Sequence, residues 1–320
     1  MKAIVYEKYG SPDDLQLKEV EKPIPNDDQI LIKIYAISIN GSDKENLIGK
    51  PLYARINGLF KPRDQILGSD IAGRVEAVGK NHTEFKVGDE VFGEIPWYHG
   101  GFAEYVCTHG KTMALKPEHL SFVEAAAIPQ AGVIAYQGII ETGQVQQGEQ
   151  VLINGAGGSA GSFAIQLAKL AGAEVTGVDN AHKQDFMRSL GADHVIDYTQ
   201  EDFTKNGTQY DFILDPIGYR SVFAYKRALK PNGRYFVVGG SAATLLQVVL
   251  LGPIIRRSSH KQLNLLGVPQ NRRDLLTITD LVEAGQVTPI IDRQYSLAEV
   301  PEAFRYILAG RAKGKIVITL

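Results

Sequence analysis

The sequence predicts an α/β fold in which a β-rich N-terminal part precedes a doubly wound parallel sheet with helices on both faces. Three observations predict it. The N-terminal third consists of short apolar stretches punctuated by glycine, the pattern of strands joined by tight turns. From about Gln150 apolar strands alternate with helical periods, which reads as βαβαβ. Between the first such strand and its helix stand Gly155, Gly158 and Gly161.

In chain order, Ile30, Ile32, Ile34 and Ala36 alternate with Leu31, Lys33, Tyr35 and Ile37, the period of a strand buried on at least one face. Apolar stretches at Gly73 to Val78, Val87 to Phe92 and Phe102 to Thr108 are bounded by Gly79, Gly88-Asp89, Gly93 and Gly100-Gly101, as in a compact β-barrel. Ser42 with Glu45, and Ser121 with Glu124, have capping-box spacing and predict short helices. Val151-Leu152-Ile153 is the first strand of the second half, followed by a helix carrying Phe163, Ile165, Leu167 and Leu170 and closed near Gly172. Glu174 to Val178, His194 to Ile196, Tyr210 to Leu214 and Arg234 to Val238 read as further strands, with a helix over Lys183 to Leu190. Leu245 to Ile255 fits either a helix packed on the sheet or an exposed dimer surface. A helix over Asp274 to Ala284, a third capping box at Ser296 and Glu299, and a last strand from Lys315 to Thr319 complete the chain.

Length and composition bound the function. A chain of 320 residues with 44% apolar content supports two domains. Lys+Arg 34 against Asp+Glu 36 leaves a net charge of −2, so no global electrostatic attraction to nucleic acid is expected. The single cysteine, Cys107, excludes an internal disulfide and any multi-thiolate site, and fits a reducing compartment. The longest apolar run, Leu245 to Ile255, is too short for a membrane span. The first residues carry charge and lack a signal-peptide pattern, so a cytoplasmic protein is expected.

The glycines carry the chemistry. In a strand–turn–helix context, Gly155-Ala156-Gly157-Gly158-Ser159-Ala160-Gly161 is a dinucleotide fingerprint. Gly158 lets backbone approach a pyrophosphate, Gly161 lets helix and strand pack closely, and the helix N-terminus aims free N–H groups at negative charge. Ala156 stands where the pattern has glycine, which requires it to keep negative φ. Asp179, eighteen positions past Gly161, is the expected ribose acceptor. Asn180, His182 and Lys183 follow it, the last two offering charge to a 2′-phosphate. Asp215 and Gly239-Gly240 end two further strands on the side where such folds bind ligands.

Over essentially its whole length the chain resembles the medium-chain dehydrogenase/reductase superfamily. Leu67 to Gly73, Gly100 to Tyr105, Leu190 to Tyr198 and Arg311 to Ile318 resemble its zinc-free quinone oxidoreductase (zeta-crystallin-like) branch. The resemblance implies a GroES-like β-barrel catalytic domain at 1–124 and 267–320 and a Rossmann cofactor domain at 125–266. It further implies NADPH or NADH as cofactor and a homodimer. Asn40, Ser69 and a position near Ala131 match the places where zinc relatives hold catalytic metal, so no zinc is expected. By the same resemblance Asn40 offers its amide to a substrate oxygen, and Ser42 matches a proton-relay hydroxyl. Asp43 is a polar site residue or a helix-start acid, and Tyr53 is the nearest phenol.

Without a Lewis acid an ordinary alcohol has little help losing its proton, whereas hydride addition to a quinone or enone gives a delocalised anion that hydrogen bonds stabilise. The expected activity is therefore NAD(P)H-dependent reduction of a quinone or α,β-unsaturated carbonyl. Two alternatives stand beside it: zinc-independent reduction of small aldehydes or ketones, and a non-catalytic nucleotide-binding protein of crystallin-like or redox-sensing type.

Overall fold

The computed structural model describes residues 1–96 and 99–320. They form two compact units, Met1–Gln130 with Gln270–Asp280 and Pro289–Leu320, and Ala131–Pro269 with Leu281–Thr288.

In the first unit, β1 (Lys2–Val5) and β2 (Gln16–Glu19) form a two-stranded sheet. The larger sheet uses β3 (Ile30–Ile39), β4 (Asp70–Val78), β5 (Glu90–Glu94), β6 (Tyr105–Thr108) and β7 (Met113–Leu115). It is completed from the C-terminal segment by β14 (Ile291–Ser296) and β15 (Lys315–Thr319), in the order β14-β15-β3-β4-β5-β7, with β6 also on β3. Ile30, Ile32 and Ile34 of β3 enter one core with Ile71, Val75, Val91, Phe102, Phe304 and Ile316, and Ile37 and Ile39 join it in the opposite phase, because the pairing with β4 shifts register between Ile34 and Ala36. Two strands start later than expected. Val87 lies in a turn where Gly88 has φ +95° and the Asp89 carboxylate accepts from the Lys86 N–H, and pairing begins only at Glu90. The Phe102 stretch bonds to β1 through Ile4 and enters the ladder only at Tyr105.

Helix α1 (Gly41–Ile48) starts earlier than the Ser42–Glu45 spacing implies. Its N-cap is Asn40, and the Asp43 carboxylate accepts from the Asn40 N–H at 2.8 Å. Helix α2 (Phe122–Ala126) carries the expected Ser121–Glu124 box.

The second unit holds β8 (Gln150–Asn154), β9 (Glu174–Asp179), β10 (His194–Asp197), β11 (Tyr210–Asp215), β12 (Leu229–Val237) and β13 (Gln262–Leu265) in the order β10-β9-β8-β11-β12-β13. All pairs are parallel. Numbered within the unit this is 3-2-1-4-5-6, the Rossmann order, with the topological switch between β8 and β11. Helix α4 (Ser159–Leu170) buries Phe163, Ala164, Ile165, Leu167 and Ala168. The expected Lys183–Leu190 helix is a 3-10 turn at Ala181–Lys183 followed by α5 (Gln184–Ser189). After α6 (Val222–Ala228), the Leu245 to Ile255 stretch is the middle of α7 (Ala242–Ser259), which buries Val248, Gly252 and Ile255. Its other side leaves Leu246, Val249, Leu250 and Ile254 exposed. Helices α3 (Pro129–Tyr136), α8 (Arg272–Glu283) and α9 (Val300–Leu308) complete the elements.

Candidate active site

Antiparallel pairing brings one end of four strands of the first unit together. Asp70 opposes Ser38 and Glu94, and Ile316 opposes Ile39. Asn40 just past β3, Asp70 at the start of β4, Glu94 at the end of β5 and Lys315 at the start of β15 therefore converge, all buried. Lys315 Nζ donates to Asn40 Oδ1 at 2.6 Å and lies 3.5 Å from Asp70 Oδ2. Asn40 Nδ2 donates to Ser69 Oγ at 3.3 Å. The carboxylate of Asp70 also accepts from Ser38 and Ser69 hydroxyls and from the Gln130 N–H. Gln130 Nε2 donates to Glu94 Oε1 at 2.6 Å, and Ser42 Oγ donates to Gln130 Oε1 at 3.0 Å.

Three acids and one ammonium share this interior. Burial pushes the Glu94 carboxyl up to about 8 and that of Asp43 up to about 7. It raises Asp70 as well, against the pull of Lys315, and lowers Lys315 in turn. Desolvation penalises every charged form, and the pairing of Lys315 with Asp70 is the compensation.

The predicted catalytic residues separate in role. Ser42 is partly exposed and lies at the outer end of the hydrogen-bond chain. Asn40 is 4% exposed, with both ends of its carboxamide engaged. Asp43 is fully buried and accepts from the N–H groups of Asn40 and Gly68, so it ties the start of α1 to the turn before β4. The Tyr53 hydroxyl meets the Glu45 carboxylate at 3.2 Å. Asp70, Glu94, Gln130 and Lys315 were missed. Each reads locally as the polar end of a strand or helix, and only pairing across the sheet brings them together.

In the second unit the predicted loop residues cluster at the carboxyl ends of β8, β9, β11 and β12. Gly155 has φ +80°, and Ala156 is absent from the residues with positive φ, as its side chain requires. A Cβ on Gly161 would lie 2.2 Å from Gly155 O and 2.6 Å from Ala156 Cα, so α4 packs on the loop only because that residue is glycine. A Cβ on Gly158 would meet nothing nearer than Gly155 O at 3.3 Å. Gly158 is the N-cap of α4 and supplies no side-chain cap, and Ser159 and Ala160 form the first turn. A helix start with no side-chain cap, behind a glycine, fits a dinucleotide diphosphate.

Asp179 accepts from the Gly157 N–H at 3.1 Å, the Asn180 N–H at 2.8 Å and Lys183 Nζ at 3.3 Å. Lys183 is buried, its aliphatic chain packed where a Gly157 Cβ would stand, whereas His182 is exposed. Asp215 is fully buried and accepts from the N–H groups of Ile217 and Gly218, from Asn154 Nδ2 and from the Tyr235 hydroxyl. It shapes the turn after β11 from beneath. Gly239 and Gly240 press against that turn, since a Cβ on Gly240 would lie 2.3 Å from Gly218 O.

Residues 26–118 match the family model of the alcohol dehydrogenase GroES-like domain, and residues 190–318 match that described as zinc-binding dehydrogenase. The chain is 35% identical to a 2-methylene-furan-3-one reductase of Solanum lycopersicum, covering 99% of this chain and 79% of that protein. It is 32% identical to an NADPH-dependent alkenal/one oxidoreductase of Arabidopsis thaliana over the same shares. The solved quinone oxidoreductase of Coxiella burnetii superposes with TM-score 0.89 at 30% identity, covering 100% of this chain and 99% of that one.

Proposed function

The chain belongs to the medium-chain dehydrogenase/reductase superfamily, in its quinone oxidoreductase branch, and from that membership we propose that it is an NAD(P)H-dependent reductase of quinones or α,β-unsaturated carbonyls. The first unit, which runs through Gln130 rather than ending at residue 124, is assigned to catalysis, and the second unit to the cofactor. The observation that carries the reading is the donor set of the first unit's polar cluster: carboxamides, hydroxyls and one ammonium. One or two such hydrogen bonds suffice for the delocalised anion of a hydroquinone or enolate, whereas a localised, more basic alkoxide calls for stronger stabilisation, such as a Lewis acid. The relatives named for a methylene-furanone, alkenals and a quinone support the same acceptor class.

Gly155–Gly161 would hold the diphosphate of the dinucleotide, and Asp179, Asn180, His182 and Lys183 its adenosine ribose. When bound, the reduced nicotinamide supplies the hydride that the acceptor takes up. Ser42, the partly exposed hydroxyl of the first unit's chain, is assigned to the acceptor's oxygen, where it donates to the negative charge that hydride addition creates. Asn40 supports the cluster behind it. Steady-state oxidation of NADPH and NADH against quinones, enones and simple aldehydes tests the assignment. Turnover confined to quinones and enones is expected. Turnover with aldehydes alone, or none with any acceptor, would overturn it.

The reaction is assigned as zinc-independent. Neither Asn40 nor Ser69 supplies a thiolate or imidazole, and the Lys315 ammonium already supplies positive charge against Asn40 Oδ1 and Asp70. Among the described residues no group of three or more His, Cys, Asp or Glu side chains could hold a metal ion. Elemental analysis is expected to find no stoichiometric zinc, with activity unchanged by chelators; one tightly bound zinc per chain would refute this. No helix among the described residues is long and apolar enough to cross a membrane. The lone cysteine supports the cytoplasm as the compartment.

A further inference from the structure

Ser42 is the outer end of a hydrogen-bond chain that runs inward to a carboxyl group. Its links are 3.0 Å from Ser42 Oγ to Gln130 Oε1 and 2.6 Å from Gln130 Nε2 to Glu94 Oε1. Gln130 and Glu94 are each 8% exposed, so water does not compete for these bonds. The Gln130 N–H is anchored on Asp70 Oδ2 at 3.0 Å, which fixes where its carboxamide stands.

A carboxamide donates from one terminus and accepts at the other, and the two ends are alike in shape. The same heavy-atom positions therefore accommodate two directions of donation. With Glu94 ionised, Gln130 must turn its N–H to the carboxylate and its oxygen to Ser42, whose only hydrogen is then committed inward. With Glu94 protonated, the carboxyl O–H donates to the Gln130 oxygen and the Gln130 N–H donates to Ser42 Oγ. The hydroxyl hydrogen of Ser42 is then released to point outward.

We propose that Glu94 is a positioning residue whose proton, acting through the Gln130 carboxamide, sets the Ser42 hydroxyl as a hydrogen-bond donor to the substrate's oxygen. The inference rests on the reading of Ser42 as the group that meets that oxygen. The surroundings favour the protonated form. Glu94 is faced by Asp70 on β4 and Asp43 on α1, both acids, by the carboxamides of Gln130 and Gln270, and at longer range by the Lys315 ammonium on β15. Burial is the largest influence and places the titration at about 8. Turnover should accordingly fall as pH rises through that value.

The experiment measures kcat with NADPH and either 1,4-naphthoquinone or trans-2-hexenal from pH 6 to 10 in wild type, E94Q, S42A and the S42A/E94Q double variant. Glutamine at 94 carries a permanent N–H for Gln130, so E94Q should lose the alkaline fall in kcat. S42A should lose about tenfold in kcat at pH 6, the worth of one hydrogen bond to a charged oxygen, and should also have a flat profile. The double variant should match S42A. Persistence of the alkaline fall in E94Q, or effects that multiply in the double variant, would overturn the proposal while leaving Ser42 at the substrate.

A second readout needs no substrate. A carboxyl that holds its proton more tightly folded than unfolded makes stability fall as pH rises from its unfolded value of 4.5 to about 8. The melting temperature of E94Q should fall less over that window than that of wild type. The remaining fall belongs in part to Asp43, between 3.8 and about 7. An unchanged slope in E94Q would overturn the proposal. Wild-type kcat in S42A, with the E94Q change in slope present, would instead overturn the reading of Ser42 and the proposal with it.

Discussion

Asp179 holds the loop together and is proposed to meet the ligand as well. Its carboxylate accepts from Gly157, Asn180 and Lys183, so in the ribose role proposed for it the charge would be partnered by a buried ammonium. A free carboxylate there would repel a 2′-phosphate, whereas a paired one repels it less. Discrimination between NADPH and NADH is therefore expected to be about tenfold or less, roughly 1.4 kcal/mol. Lys183→Ala should shift the ratio of kcat/KM toward NADH, since it leaves the carboxylate uncompensated. Asp179→Ser should shift it toward NADPH and, because the Gly157 N–H loses its acceptor, weaken both cofactors. Discrimination beyond a hundredfold in wild type, or an unchanged ratio in both variants, would remove these side chains from the ribose site.

In the loop between β8 and α4, glycines of different structural demand stand within seven residues, and the diphosphate is proposed to bind there. Gly161 is glycine because the helix touches Gly155 and Ala156 directly, whereas at Gly158 a methyl group would meet only the Gly155 oxygen, at a tight 3.3 Å. Gly161→Val should destabilise the second unit by about 2–3 kcal/mol through overpacking. Gly158→Ala should cost only about 1 kcal/mol, since its φ of −90° suits any residue and the tight contact with Gly155 O needs only a small shift, yet lower dinucleotide affinity by an order of magnitude or more. Thermal melting and dinucleotide titration of both variants check the pair. Unimpaired affinity in Gly158→Ala would contradict the assignment of this loop to the diphosphate.

For the whole molecule, helix α7 and the edge strand β13 leave the second unit with an unfinished surface. Leu246, Val249, Leu250 and Ile254 are 59, 53, 59 and 61% exposed, and among the described residues β13 ends its sheet with an unpaired edge. Edges and apolar stripes of this kind are covered in stable proteins. A homodimer is therefore expected, and light scattering should return twice the 35.0 kDa chain mass. A stable monomer at micromolar concentration would overturn that expectation.

The fold was legible in the sequence because its signals are local. The β3 alternation, the glycine-bounded turns, the Ser121–Glu124 cap and the strand–glycine–helix junction at Gly155–Gly161 each depend on neighbours within a few residues. The loop glycines could be named as candidates for the same reason, whereas Ser42 was named from the resemblance alone. The start of α1 showed the limit: Ser42 and Glu45 had the right spacing, but the cap fell to Asn40 and Asp43, whose carboxylate also holds the Gly68 N–H. What tertiary structure alone decided is the interior of the polar cluster. Lys315 opens an apolar strand 275 residues from Asn40, and Glu94 meets Gln130 across 36. No periodicity within either segment records that meeting. Their burial, and with it the raised affinity of Glu94 for its proton, arises only when β15, β3, β4 and β5 pair and exclude water from the end they share.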